Sequence, residues 1–387
     1  MPITSRDLLV FAARKLLTSF DNLDRQNNEI RKNLSVELKK ILSFRDFFEI
    51  ENYQNKFEND FAKFCDKKFS VGTSSGTAAL QCALLACGIG PGDEVITTTN
   101  TNIATVVAIE NTGAKPVLVD INEKNYLIDE EEIEKKITRL TKAIIPVHLY
   151  GDVCEMDRIN EIAKNHGIEV IEDSSQAHGV AYNGKKVPIS DIGCFSFYTN
   201  KLIGGFGNGG IVVTNSKEVI EKIKPLLDSE INFDNEFMLK SRRTPCNLDA
   251  IQIAFIRAKM PFYEKWMNKR RHIAKLYSEI LQGTEILLPE ENKKVRHGFY
   301  RYVIRVKKRD QLKKFLLRNR IQTDIHYPYL VHTAKAFLHL GYKRGDFPVA
   351  EQCQKEFLSL PINPWYNDEE IIKIANAVKR FAAKNGN

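Results

Sequence analysis

The residues of this chain best suited to chemistry are one lysine and the glycines that follow it. The stretch 191–210 reads D-I-G-C-F-S-F-Y-T-N-K-L-I-G-G-F-G-N-G-G. Its apolar run 193–198 has strand character and ends in a polar turn that carries Lys201. Gly204, Gly205, Gly207, Gly209 and Gly210 come next, so the backbone can turn tightly around a cleft. An amine aimed into such a cleft and partly stripped of water is suited to Schiff-base chemistry. Read alone, the stretch also fits an ordinary solvated lysine after a strand, because lysines are mostly exposed.

Two other places could work with that amine. Ser74, Ser75, Gly76 and Thr77 open a helical segment that ends at Gly88. The free N–H groups and positive dipole end of a helix start can hold an anion. The same residue types also serve as a plain N-cap. The pattern is neither a Walker loop nor G-x-G-x-x-G, so it does not indicate a nucleotide fold. Asp173 closes the apolar run 169–173 and is followed by Ser174, Ser175 and Gln176. A carboxylate there could cap a helix, its commonest use, or hold a positively charged ring nitrogen.

The elements that must position these groups alternate. Apolar runs at 94–97, 116–121, 143–148, 169–173, 193–198 and 209–214 read as strands. Helical patterns lie between several of them, at 130–142, 156–166 and 216–227. Continuous apolar strands joined by helices predict an α/β fold with a parallel-rich sheet covered on both faces. Ligands of such sheets gather at the carboxyl ends of the strands. Before the sheet, residues 18–70 read as helical, with one apolar stripe at Leu34, Val36, Leu38, Ile41 and Leu42 and another at Phe57, Phe61 and Phe64. After it come a polar, loop-like segment at 228–243 and a long helical region at 248–281. Strands at 299–306 and 321–327 and a last helix from 368 to about 384 suggest a smaller α/β domain. The division expected is an extension at 1–17, a large domain at 18–255 and a small domain at 256–387.

Composition narrows the function. The chain has 387 residues, enough for about two domains. Its 43% hydrophobic and 27% charged content is that of a soluble globular protein. Seven scattered cysteines form no C-x-x-C pair, which points to a reducing cytoplasm. Eight scattered histidines show no ligand spacing, so no metal site is expected. The net charge of +8 is modest, mixed along the chain and compatible with an anionic substrate, and no nucleic-acid motif is present. No apolar run approaches the roughly 18 residues of a membrane helix, and the start of the chain lacks a signal-peptide pattern.

An anion-binding helix start, a strand-end aspartate and a lysine, in that order, are what pyridoxal 5'-phosphate needs. At these residues the sequence resembles the DegT/DnrJ/StrS family of sugar aminotransferases. The matching segments are S-S-G-T-A-A-L at 74–80, G-D-E-V-I at 92–96, G-A-K-P-V-L-V-D at 113–120 and P-V-H-L-Y-G at 146–151. They continue with V-I-E-D-S-S-Q-A-H-G at 170–179, D-I-G-C-F-S-F-Y at 191–198, H-Y-P at 326–328 and L-S-L-P at 358–361. The resemblance implies the type I fold of pyridoxal-phosphate transferases, with a mostly parallel seven-stranded sheet and a smaller C-terminal α/β domain. It implies Lys201 as Schiff-base lysine and proton carrier, Asp173 at the ring nitrogen and Gln176 at the ring hydroxyl. Gly76, Thr77 and Ser196 would bind the phosphate, and His326 and Tyr327 would border the sugar pocket.

The resemblance also implies substrates and assembly: L-glutamate as amino donor, a nucleotide-linked keto sugar as acceptor, and a homodimer with shared active sites. Three departures stand out. Asn102 occupies a position where the family usually stacks an aromatic ring on the cofactor. Asn247 is the nearest candidate for the asparagine that a partner subunit extends to the phosphate, but it lies closer to Gln252 than the family spacing. The stretch 42–69 lacks the glycines usual before the first helix. A sugar dehydratase of the same fold, which puts histidine at the position of Lys201, and a non-catalytic binding or regulatory homologue are the alternatives.

Overall fold

The computed structural model of the chain describes residues 20–227 and 246–385. The extension at 1–17 and the segment at 228–243 lie outside the described residues. Seven strands form the central sheet: β1 Phe69–Thr73, β2 Glu94–Thr98, β3 Lys115–Val119, β4 Thr141–Ile144, β5 Glu169–Asp173, β6 Ile192–Ser196 and β7 Gly210–Thr214. Their order is β1-β7-β6-β5-β4-β2-β3. β7 alone runs against its neighbours. Every residue of β2, β6 and β7 is buried, which suits their runs of apolar and small residues.

Helix α1 Leu23–Leu42 packs on the later helical segment 250–259, and the sheet is covered by α2 Phe47–Phe64, α3 Gly76–Ala86, α4 Ile103–Thr112, α5 Met156–His166 and α6 Lys217–Leu227. In α5 the buried residues are Met156, Ile159, Ile162 and Ala163, one face of the helical period. Gly167 ends it at φ 64°, a left-handed turn that suits glycine. On α2, Phe61 sets its ring edge against Phe195 at 5.4 Å and Phe197 at 5.1 Å. Those two side chains point to one face of β6 and its exit, so Ser196 between them points to the other.

The chain continues through α7 Ala250–Lys259, α8 Tyr263–Leu281, β8 Tyr302–Arg305, α9 Arg309–Arg318, α10 Pro348–Glu356, β9 Phe357–Leu360 and α11 Asp368–Asn385. β8 and β9 pair antiparallel. A second hydrophobic core forms around Tyr277, Tyr302, Leu312, Leu358 and Ile374. Helix α8 serves both cores: Tyr263 and Met267 belong to the first, Ile273 and Tyr277 to the second.

Four expectations need correction. Residues 69–70, the end of the region expected to be helical, instead open β1, whose five residues with Gly72 among them give too short an alternation to stand out. The helix expected over 130–142 stops at Ile133, and a single 3-10 turn reaches Lys136. There the Thr138 hydroxyl donates to Glu94 and its N–H donates to the Thr141 hydroxyl, turning the chain into β4. The stretch 321–327 is an extended loop with isolated bridge positions at Ile321 and Asp324, the latter paired with Ser359, and Tyr327 is left-handed at φ 58°. Finally, the stripe on α1 reaches the core only in part: Ile41 packs half-buried against it, but Val36 is 61% and Leu42 84% exposed, and only Gln26 and Ile30 of that helix are buried.

One buried pair braces the strand that carries Asp173. His148 Nε2 lies 2.8 Å from Glu172 Oε2, and both side chains are wholly buried. His148 Nδ1 accepts from the Cys154 N–H, so Nε2 carries the proton and donates it to Glu172. Burial pushes the Glu172 carboxyl up, but the bonds from His148 and the Ser190 N–H outweigh it and hold the group below its usual 4.5. A depressed carboxyl contributes stability above its unfolded pKa and loses it as pH falls. His148→Leu is expected to lower unfolding free energy by about 3–5 kcal/mol at pH 7, because it strands a buried carboxylate. Urea titrations should show the deficit shrinking as pH drops below 4.5.

Candidate active site

A cleft of ≈ 340 Å³ opens at the carboxyl ends of the strands and gathers nearly all the residues singled out from the sequence. Gly76, Thr77, Asn102, Asp173, Gln176, Ser196, Lys201, His326 and Tyr327 all line it. Asn247 does not: it is exposed and pairs through its backbone with Thr73.

The floor begins at α3. The Ser75 hydroxyl accepts from the Ala78 N–H at 3.1 Å and caps the helix. The N–H groups of Gly76 and Thr77 bond to no protein atom among the described residues. Ser196 packs directly on this turn, and a Cβ on Gly76 would stand 2.8 Å from its Cβ. Glycine at 76 therefore lets a hydroxyl and two free N–H donors converge at a positive helix end.

Asp173 ends β5 and is almost wholly buried. Its Oδ1 accepts from the Ser175 N–H at 3.1 Å and its Oδ2 from the Thr105 hydroxyl at 2.9 Å. Among the described residues no cation pairs with it. Thr105 escaped the sequence reading. The signal was its place on the first turn of α4, three residues after Asn102. Thr105→Val should slow turnover about tenfold, the equivalent of about 1.4 kcal/mol of barrier. Unchanged steady-state rates in a correctly folded variant would remove Thr105 from the site.

Asn102 has a structural role in the cleft wall. It is the N-cap of α4, and its Oδ1 accepts from the Ala104 N–H at 2.9 Å. Gln176 is oriented by its partners: Oε1 accepts from the Tyr150 N–H at 2.8 Å and Nε2 donates to the Tyr327 hydroxyl at 2.5 Å. The second Nε2 hydrogen remains for the cleft. Tyr150 itself is left-handed at φ 60°, a costly conformation for a bulky residue, at the point where Gln176 holds its N–H.

Lys201 sits in a stitched loop between β6 and β7. Its N–H donates to Tyr198 O, Thr199 N–H to Gly207 O and Gly205 N–H to Phe197 O. Beneath the loop, Lys259 is 1% exposed and donates to Gly204 O at 2.6 Å and Gly205 O at 3.1 Å. Burial pushes the Lys259 ammonium down to about 8. Lys201 Nζ lies 5.3 Å from the centre of the Tyr300 ring, a cation–π contact. Tyr300 and Asn200 also line the cleft and were not foreseen. Tyr300 was hidden in a run read only as a strand.

His326 is not a free base. Its Nε2 accepts from Arg301 Nε at 2.6 Å, and its Nδ1 meets Ser359 Oγ at 2.9 Å. Burial, then the charges of Arg301 and Lys201, push its pKa down to about 2.

The donor set fits pyridoxal 5'-phosphate. Two unpartnered N–H groups and the Ser196 hydroxyl suit a phosphate. A buried carboxylate without a cation suits a protonated ring nitrogen, and a lysine in the same cleft suits an aldehyde carbon. Fold and site together define a transferase of the pyridoxal-phosphate type.

Comparison with known proteins gives the family. Residues 28–379 match the DegT/DnrJ/EryC1/StrS aminotransferase family, and the chain belongs to it. The "Pleiotropic regulatory protein" of Geobacillus stearothermophilus is 38% identical over 371 residues, 93% of this chain and 98% of that protein. The dTDP-3-amino-3,6-dideoxy-alpha-D-galactopyranose transaminase of Aneurinibacillus thermoaerophilus is 38% identical over 365 residues, covering 94% and 99%. Among solved structures, S. venezuelae DesV in complex with a ketimine intermediate superposes with a TM-score of 0.89 at 33% identity, covering 95% of this chain and 98% of that one. The chain is thus a pyridoxal-phosphate-dependent aminotransferase of the type I fold.

Proposed function

We propose that this enzyme moves an amino group from L-glutamate to a nucleotide-linked keto sugar and works as a homodimer. The observation that carries the reading is the convergence of Lys201, Asp173 and the open N-terminus of α3 on one cleft. When bound, the cofactor supplies an electron sink that lets a C–H bond next to nitrogen be broken and remade. The N–H groups of Gly76 and Thr77 and the Ser196 hydroxyl hold its phosphate. Asp173 keeps the ring nitrogen protonated, with Thr105 and Ser175 fixing the carboxylate. Gln176 offers its remaining N–H to the ring hydroxyl. Lys201 holds the cofactor at rest. Its Nζ, when free, would carry a proton between the two carbons that flank the substrate nitrogen.

The sugar reading draws on the activities of relatives, which include dTDP- and UDP-sugar aminotransferases. The net charge of +8 suits a diphosphate-bearing substrate. The division into domains at 18–255 and 256–387 belongs to the same reading, with Tyr300, His326 and Tyr327 supplied by the smaller one. Asn247, exposed beside the helix start, is the residue assigned to reach the partner's phosphate. The cysteines are free thiols, which suits a cytoplasmic enzyme. Among the described residues no helix is long and apolar enough to cross a membrane.

The regulatory name of one relative keeps a binding role in view, and Lys201 with Asp173 weighs against it. The deciding assay incubates the holoenzyme with L-glutamate and a panel of dTDP- and UDP-linked 3-keto and 4-keto sugars. Mass spectrometry should find an amino sugar nucleotide and 2-oxoglutarate in equal amounts. Sugar nucleotides that bind but gain no nitrogen would instead support the regulatory reading.

A further inference from the structure

Behind the wall formed by Tyr300 and His326 lies a buried cation that the reaction scheme does not use. Arg301, immediately before β8, is 6% exposed. Among the described residues it forms no salt bridge. Its Nε donates to His326 Nε2 at 2.6 Å, and its Nη2 donates to the Tyr300 hydroxyl at 3.2 Å. Its Nη1 donates to Tyr300 O at 3.4 Å. The guanidinium also lies over two rings, Tyr300 at 4.2 Å and Phe20 at 5.2 Å.

These contacts fix proton positions, because a guanidinium donates and never accepts. The Nε–H obliges His326 Nε2 to be the bare nitrogen. The ring proton must then sit on Nδ1 and go to Ser359 Oγ. Three charged groups face His326: Arg301, Lys201 and Asp324, whose Oδ2 is 3.7 Å from Nε2; Tyr327 stands alongside. Asp324 favours a charged ring, but it is more than half exposed, and burial with the two cations outweighs it. The Tyr300 hydroxyl accepts from Arg301, so its own proton goes to Asn200 Oδ1 at 3.1 Å. That turns the Asn200 amide nitrogen away from Tyr300. Tyr300, in turn, presents its ring to Lys201.

We propose that Arg301 is a positioning residue for amino transfer, locking the tautomer of His326 and the Tyr300–Asn200 pair so that Lys201 works against a wall with fixed protons. The proposal rests on the aminotransferase reading of the cleft. It predicts that His326 takes no part as acid or base and that its service depends on a cation that touches no substrate.

The test uses the full-length holoenzyme labelled with 15N-histidine, with His326→Asn to assign the resonance. In the wild type, His326 should show only the Nδ1–H tautomer and no titration between pH 5 and 8. Arg301→Met should mix the tautomers or let the ring titrate in that range. It should lower kcat about 10- to 100-fold, with the donor KM within about threefold, the pattern of lost transition-state alignment. The pH–rate profile should gain an acid limb. Arg301→Lys, which cannot serve His326 and Tyr300 together, should fall between. A wild-type His326 that titrates near neutrality overturns the proposal, whether or not the variants fold. So does an Arg301→Met enzyme with wild-type tautomer and kcat that loses only thermal stability. The nitrogen spectra do not depend on turnover. An inactive wild type with the expected tautomer would therefore count against the aminotransferase reading and not against the role of Arg301.

Discussion

Replacing Lys201 with alanine abolishes amino transfer in a protein that remains folded. The side chain emerges from a loop whose backbone bonds do not involve its amine, and Lys259 and Gln252 hold that loop from below. The fold therefore has little to lose. Among the described residues Lys201 is the one lysine that lines the cleft, so the chemistry loses both the covalent anchor and the proton carrier. Positioned proton transfer alone contributes about 10²–10⁴-fold in rate, and the anchor adds to that. Turnover should fall by at least about 10⁴-fold while far-ultraviolet circular dichroism stays the same. Borohydride treatment followed by peptide mapping should attach pyridoxal phosphate to Lys201 in the wild type and to no lysine in the variant. Labelling at another lysine with activity retained would move the active site elsewhere.

The second large effect is that of Asp173→Asn. The new side chain is nearly isosteric, and the Thr105 hydroxyl can turn to accept from an amide where it now donates to the carboxylate. The variant should fold with stability close to wild type. What changes is the charge facing the ring nitrogen. A buried carboxylate with two hydrogen-bond donors, and no cation among the described residues, is arranged to keep that nitrogen protonated. Removal of one such fixed electrostatic partner costs about 10²–10³-fold in kcat. The expected signature is that loss in kcat, retained cofactor binding and an altered visible spectrum. A wild-type rate in Asp173→Asn would mean that the carboxylate only caps the Ser175 turn.

The placement of these groups was legible because they sit at or just beyond strand ends, and six of the seven strands are apolar runs that sequence patterning shows directly. Lys201, Asp173 and Ser196 come from β5, β6 and the turn that follows. What the pattern hid was decided by contacts across the fold. β1 is a five-residue strand whose place at the sheet edge depends on pairing with β7. Thr105 reaches Asp173 from sixty-eight positions away in sequence. Arg301 looks like one more strand residue until the loop carrying His326 is brought against it. Val36 and Leu42 failed in the opposite direction: their helical spacing promised a core, yet they are exposed in this chain.

The central claim is that this cleft carries out the first half of an amino transfer, and an absorption spectrum tests it most directly. Purified protein reconstituted with pyridoxal phosphate should show a visible band that L-glutamate converts to the near-ultraviolet band of pyridoxamine phosphate, with one equivalent of 2-oxoglutarate released. A protein that never acquires the visible band, or one whose band no amino donor changes, would contradict these roles of Lys201 and Asp173.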